Sequence, residues 1–78
     1  MADRLIQLFA EGLNVSQARL SDETSPDNLK EWDSLAAMTL VGLIEDTFVV
    51  ELTTKEIMKM RTIGIVREVL RGKGITDV

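Results

Sequence analysis

Asp33-Ser34-Leu35 is the place in this chain where residue types and spacing point most directly to chemistry. It stands just before a run of apolar residues at helical spacing, so the serine falls at the start of a helix. A serine becomes a catalytic nucleophile when an adjacent base, usually histidine, takes up its proton. The chain has no His, Cys or Tyr. Ser34 is therefore better read as a point of attachment than as a nucleophile. The same absences remove a disulfide framework and metal sites built on thiolate or imidazole. Metal ligation would fall to carboxylates, and these are not spaced as in a calcium-binding loop.

Other charged groups argue against further chemistry. Glu45 with Asp46, and Glu51 with Glu56, are the carboxylate groupings in which acid–base work would be sought. Such pairs need a cleft and shifted pKa values, for which so small a domain has little room, and they read as solvated surface. Lys59, Arg61, Arg67, Arg71 and Lys73 make the C-terminal third basic, but the aromatic residues that stack on bases are missing there. These too read as a solvated helix face. The balance of 13 acidic against 9 basic residues gives a net charge of -4, the wrong sign for binding phosphate backbones. Nucleic acid is thus not an expected partner. Basic protein surfaces suit the charge better. No apolar run approaches the roughly 20 residues of a membrane span, and Met1-Ala2-Asp3-Arg4 lacks the start of a signal peptide. The expectation is a cytoplasmic protein, and nothing in the sequence demands more than a monomer.

The 78 residues suffice for one small domain, whose folding buries roughly 60–65% of the unfolded surface. Leu5, Phe9 and Leu13 recur four apart beside Leu8, which predicts a first helix over 1–13, stopped at Gly12-Leu13-Asn14. Turn formers dominate the connection 14–33, among them Ser16, Ser21, Asp22 and Ser25-Pro26-Asp27-Asn28. Loops beyond about 12–15 residues are uncommon. Either a short helix lies within this one, or Val15, Leu20, Leu29 and Trp32 pin it to the core. Leu40, Ile44 and Phe48, with Ala37 and Val41, give a second helix over 34–48 its buried stripe. Val49-Val50-Glu51-Leu52 has β character but no partner strand, and reads as an extended linker. Thr53 followed by Glu56 forms a capping box and starts a short helix over 53–59. Thr62 caps a last helix over 62–72, in which Ile63, Val66 and Leu70 share a face. The tail 73–78 is expected to fray. The fold class is all-α: a small bundle of three main helices and one short helix, with a long loop between the first two.

Serine and aspartate are common helix caps, so the Asp33-Ser34 pair acquires its meaning from this setting. Glu31-Trp32-Asp33-Ser34-Leu35, opening the most apolar helix after a long loop, resembles the modification site of the acyl carrier proteins. The resemblance covers essentially the whole chain and is most specific from Leu29 to Leu70. It implies that Ser34 carries 4′-phosphopantetheine, whose thiol holds acyl or aminoacyl groups as thioesters. It implies a carrier and not an enzyme. The implied partners are a phosphopantetheinyl transferase, which Asp33 helps to position, and an acyl- or aminoacyl-loading enzyme, ketosynthase or acyltransferase. Family behaviour also implies that an acyl chain shelters between helices, here near Leu40, Val41, Ile57 and Ile63.

Carriers of general fatty acid synthesis usually line this helix with acidic residues. Here the face beside the serine reads Ala36, Met38, Thr39 and Gly42, with acid only at Glu45 and Asp46. A partner surface of Leu35, Met38, Thr39, Glu45 and Asp46 would rely more on apolar contact. That points to a specialised pathway of polyketide, peptide, or modified lipid or saccharide assembly. Trp32 stands where the family often has a small or aliphatic residue, and reads as an anchor for the loop, with contact to the modifying enzyme or arm as its other reading. Gly42 inside a helix costs about 1 kcal/mol relative to alanine, for which close approach of a partner or of the arm, or tight helix packing, would account. The rival reading is an unmodified helical interaction module of the same fold, with Leu35 and Met38 set in a partner's groove.

Overall fold

A computed structural model describes residues 3–78. The chain folds into four α-helices: α1 (Arg4–Leu13), α2 (Ser34–Phe48), α3 (Thr54–Lys59) and α4 (Ile63–Gly72). Among the described residues there is no strand. The first residues of the expected helix 1–13, Met1 and Ala2, lie outside the described residues.

Each helix start is set by a polar side chain that takes up amides left free in the first turn. Asp3 accepts from the amides of Leu5 and Ile6, both at 3.1 Å. Thr53 and Glu56 close the expected capping box, with Thr53 N–H donating to Glu56 at 2.9 Å and Glu56 N–H to Thr53 at 3.2 Å. Thr62 Oγ1 accepts from the Ile65 amide at 3.1 Å. The ends of α1 and α2 both turn through the left-handed region, at Asn14 (φ 56°) and Val49 (φ 54°). Asparagine tolerates that conformation. A β-branched valine does not, since its Cβ crowds the following carbonyl.

Leu5, Phe9 and Leu13 of α1, Leu40, Ile44 and Phe48 of α2, and Ile63, Val66 and Leu70 of α4 form the core. Fully burying such a side chain stabilises by about 1.5–3 kcal/mol. α1 packs most extensively on α2. A Cβ at Gly12 would lie 2.9 Å from Leu40 and 3.0 Å from Leu43, so glycine there lets the two helices approach closely. α3 contributes no buried residue.

Of the two alternatives for the long connection, the loop pinned to the core describes it better. It contains a single 3₁₀ turn, Gln17–Arg19, and it is pinned by Leu29 and Trp32, both buried, with Val15 and Leu20 packed alongside. Its carbonyls also serve α4: Ile63 N–H donates to Thr24 O at 3.1 Å and Gly64 N–H to Asp22 O at 2.9 Å.

Two expectations are corrected. Arg67 is not part of a solvated face. Its side chain is only 12% exposed and bridges Asp3, at 2.9 Å, and Asp22, also at 2.9 Å. Helical periodicity cannot foresee this, because both carboxylates come from distant segments. The tail does not fray. Val78 is buried and Ile75 packs against the core, while Arg71 Nε donates to the main-chain oxygen of Val78 at 2.9 Å and Arg4 pairs with Asp77. Two apolar residues and two arginine contacts offset the entropy that would otherwise free the tail.

Two predictions follow from these contacts. Burial pushes the Asp3 carboxyl up, but the hydrogen bond from Arg67, the amides of Ile6 and Leu5 and the Arg67 charge together hold it below its ordinary value of 3.8. The unfolded chain therefore binds more protons in acid. The contribution is complete above the unfolded value and is lost as pH falls through the lowered folded value. Arg67→Met should lower stability near neutrality by about 1–3 kcal/mol and flatten the acid-side fall, read from urea midpoints across pH. Val49→Gly should relieve the left-handed strain and raise stability by about 1 kcal/mol, measured the same way.

Candidate functional site

The segment leading into α2 passes from the core to the surface within two residues. Trp32 is 4% exposed and meets Phe9 edge-on, with ring centroids 5.1 Å apart and planes at 64°, an arrangement favourable beyond its area. The anchor reading of Trp32 is thus the one realised. Just upstream, both oxygens of Glu31 accept from Arg19, at 2.8 and 3.1 Å. The hydrogen bond from Arg19 leads in holding the Glu31 carboxyl below its usual range. This clasp ties the 3₁₀ turn to the approach of α2.

Asp33 is the N-cap of α2. Its backbone is extended, and its Oδ1 accepts from the Ala36 amide at 2.9 Å. Ser34 is therefore the first residue of the helix, and it is exposed. The first-turn amides of Ser34 and Leu35 have no intrahelical acceptor by their position, and they face outward at the positive end of the helix dipole. Pro26, Lys30, Trp32, Asp33, Ser34 and Ala37 line an open depression of about 400 Å³. An anionic phosphate group linked to the serine would meet free N–H donors and open space there, so these residues fit a phosphodiester.

Along α2 from Ser34, the expected partner residues lie as follows. Leu35 is 77% and Met38 74% exposed, so neither is a core residue. Thr39 is exposed, and its hydroxyl donates to Leu35 O at 3.3 Å. Nothing lies within 4 Å of a Cβ placed at Gly42, so tight helix packing does not account for that glycine. Asp46 is exposed. Glu45 is half-buried, and its Oε2 accepts from the Leu52 amide at 2.9 Å, which fixes the linker after α2 and leaves less of this carboxylate for a partner. Glu56 likewise serves the fold, since it caps α3 and pairs with Lys73 at 2.9 Å. The Thr53 amide chiefly, then Lys73, hold the Glu56 carboxyl below its ordinary value.

Three further large apolar residues are exposed, Val49 at the end of α2 and Ile57 and Met58 on α3. In a helix of six residues, spacing alone cannot separate an inner face from an outer one. A partly open apolar cavity of about 40 Å³ lies between Phe9, Trp32, Ala37, Leu40, Val41, Ile44, Ile57 and Met60. Of the residues expected around a sheltered chain, Leu40, Val41 and Ile57 line it, while Ile63 is fully buried elsewhere in the core. That volume is little more than the space of one water.

A family model described as the phosphopantetheine attachment site matches residues 3–70. The chain belongs to that family, whose members are carrier domains bearing a covalently attached 4′-phosphopantetheine group and working with transferases and biosynthetic enzymes. No match to the chain was found among curated proteins. No helix among the described residues is long and apolar enough to cross a membrane, and no cluster of acidic residues among them could hold a metal ion.

The cap at Asp33 yields a stability prediction that separates geometry from charge. Asp33→Ala should cost about 1 kcal/mol, whereas Asp33→Asn should cost almost nothing, because asparagine caps as well as aspartate. Chemical denaturation of the two variants checks it.

Proposed function

We propose that Ser34 is the residue to which the phosphopantetheine arm is attached, and that the chain carries acyl or aminoacyl intermediates between enzymes of a specialised biosynthetic pathway without catalysing a reaction itself. The observation that carries this reading is the placement of the Ser34 hydroxyl: exposed, at the first residue of α2, beside an open depression and within the matched family region. When bound, the arm supplies a terminal thiol to a chain that has no cysteine of its own.

The chain's own residues have separable tasks. Trp32 holds the approach to α2 against Phe9 and so keeps the serine at a fixed height above the core. Asp33 shapes the helix start, and its exposed second oxygen is available to a modifying enzyme and its metal. Leu35 and Met38 present apolar surface beside the serine for an incoming partner. Glu45 and Asp46 stand only at the far end of the helix, so partner recognition rests less on charge than in a carrier lined with acidic residues. This favours polyketide, peptide, or modified lipid or saccharide assembly over general fatty acid synthesis. Tethering raises the effective concentration of the cargo at each partner.

The exposure of Leu35 and Met38 also suits an unmodified interaction module, and one experiment separates the two. Intact mass after incubation with coenzyme A, magnesium and a promiscuous phosphopantetheinyl transferase should increase by one phosphopantetheine, with complete loss of that gain in Ser34→Ala. No gain with several transferases would favour the unmodified module.

A further inference from the structure

The depression beside Ser34 contains a cation that the fold does not use. Lys30 lines the same recess as Ser34, yet it forms no ion pair among the described residues, although Glu31 adjoins it in sequence. The nearby Arg19 is committed to both oxygens of Glu31. Elsewhere Arg67 is held by Asp3 and Asp22, and Lys73 by Glu56. Lys30 therefore lines the recess with no ion pair of its own, its charge acting also on the neighbouring Glu31. The acidic group lining that recess is Asp33, whose Oδ1 is turned toward the Ala36 amide.

A phosphodiester on Ser34 would bring a full negative charge next to the carboxylate of Asp33. Two like charges at such separation repel, and a cation beside them offsets the repulsion. The recess is open to solvent, so a charge pair there is a surface one, screened by water and salt.

We propose that Lys30 is a binding residue for the base of the arm, its ammonium group pairing with the phosphodiester anion on Ser34, with Pro26 at the recess contacting the aliphatic carbons that follow. The inference rests on Ser34 being the attachment point. It goes beyond that reading by assigning a seat to the arm, on the loop side of α2, opposite in sequence to the face of Leu35 and Met38. A pair of this kind leaves the thiol end free to travel while restricting the first bonds of the tether.

The test uses the full chain, loaded to completion and verified by mass, as wild type, Lys30→Gln and Lys30→Arg. In the wild type the ³¹P resonance of the phosphodiester should be displaced from that of a short phosphopantetheinyl-serine peptide. The displacement should disappear as NaCl rises from about 0.01 to about 1 M, over which the screening length falls from about 30 to about 3 Å. Lys30→Gln should lose the salt-dependent displacement, and Lys30→Arg should retain it. In the unmutated protein the ¹⁵N resonance of the Lys30 ammonium group should move between unloaded and loaded forms. Identical ³¹P shifts and salt responses in wild type and Lys30→Gln, or an ammonium signal that loading leaves in place, would overturn the proposal. A chain that gains no mass fails at the earlier step, and overturns the Ser34 reading and this one with it.

Discussion

The edge-on contact of Trp32 with Phe9 determines where the surface of this protein can do anything. A loop of twenty residues has many conformations, and its cost in entropy is met only if some of its side chains reach the core. Trp32 and Leu29 do so, and the Arg19–Glu31 clasp and the carbonyls of Asp22 and Thr24 draw the remainder onto the bundle. With the indole fixed, Asp33 must cap and Ser34 must emerge. Moving the anchor would move the serine.

The same economy governs the rest of the bundle. Acidic side chains that would otherwise be solvated are spent on amides at points where the backbone changes direction: Asp3 at α1, Asp33 at α2, Glu45 at the linker and Glu56 at α3. A domain of this size has a thin margin of stability, and caps of about 1 kcal/mol each are a sizeable share of it. These carboxylates keep their charge, but their oxygens are partly engaged and so less free for direct contact with partners.

Local signals made the helices legible in the sequence. Thr53 with Glu56 announced α3, and the spacing of Leu40, Ile44 and Phe48 marked the inner side of α2, because caps and periodicity act within a few residues. What stayed hidden depends on contacts across long stretches of chain. Arg67 looked like one of several basic residues on a polar face, and nothing near it in sequence names Asp3 and Asp22. Ile75 and Val78 looked like a loose end for the same reason. At the site, Ser34 and Asp33 stood out by chemistry and setting, and Leu35 and Met38 by position. Lys30 was silent, since its interest arises only from the recess it shares with Ser34.

The short helix α3 is attached more lightly than its neighbours. None of its six residues is buried; it is held by a capping box, one ion pair to Lys73 and the inward lean of Ile57. Segments so weakly tethered open at a free-energy cost well below that of global unfolding. Because Ile57 and the adjoining Met60 form one wall of the small apolar cavity, an opening of α3 would widen the room beside Leu40 and Ile44. A guest longer than a methyl group would need that outward movement, and would bind by favouring the opened arrangement.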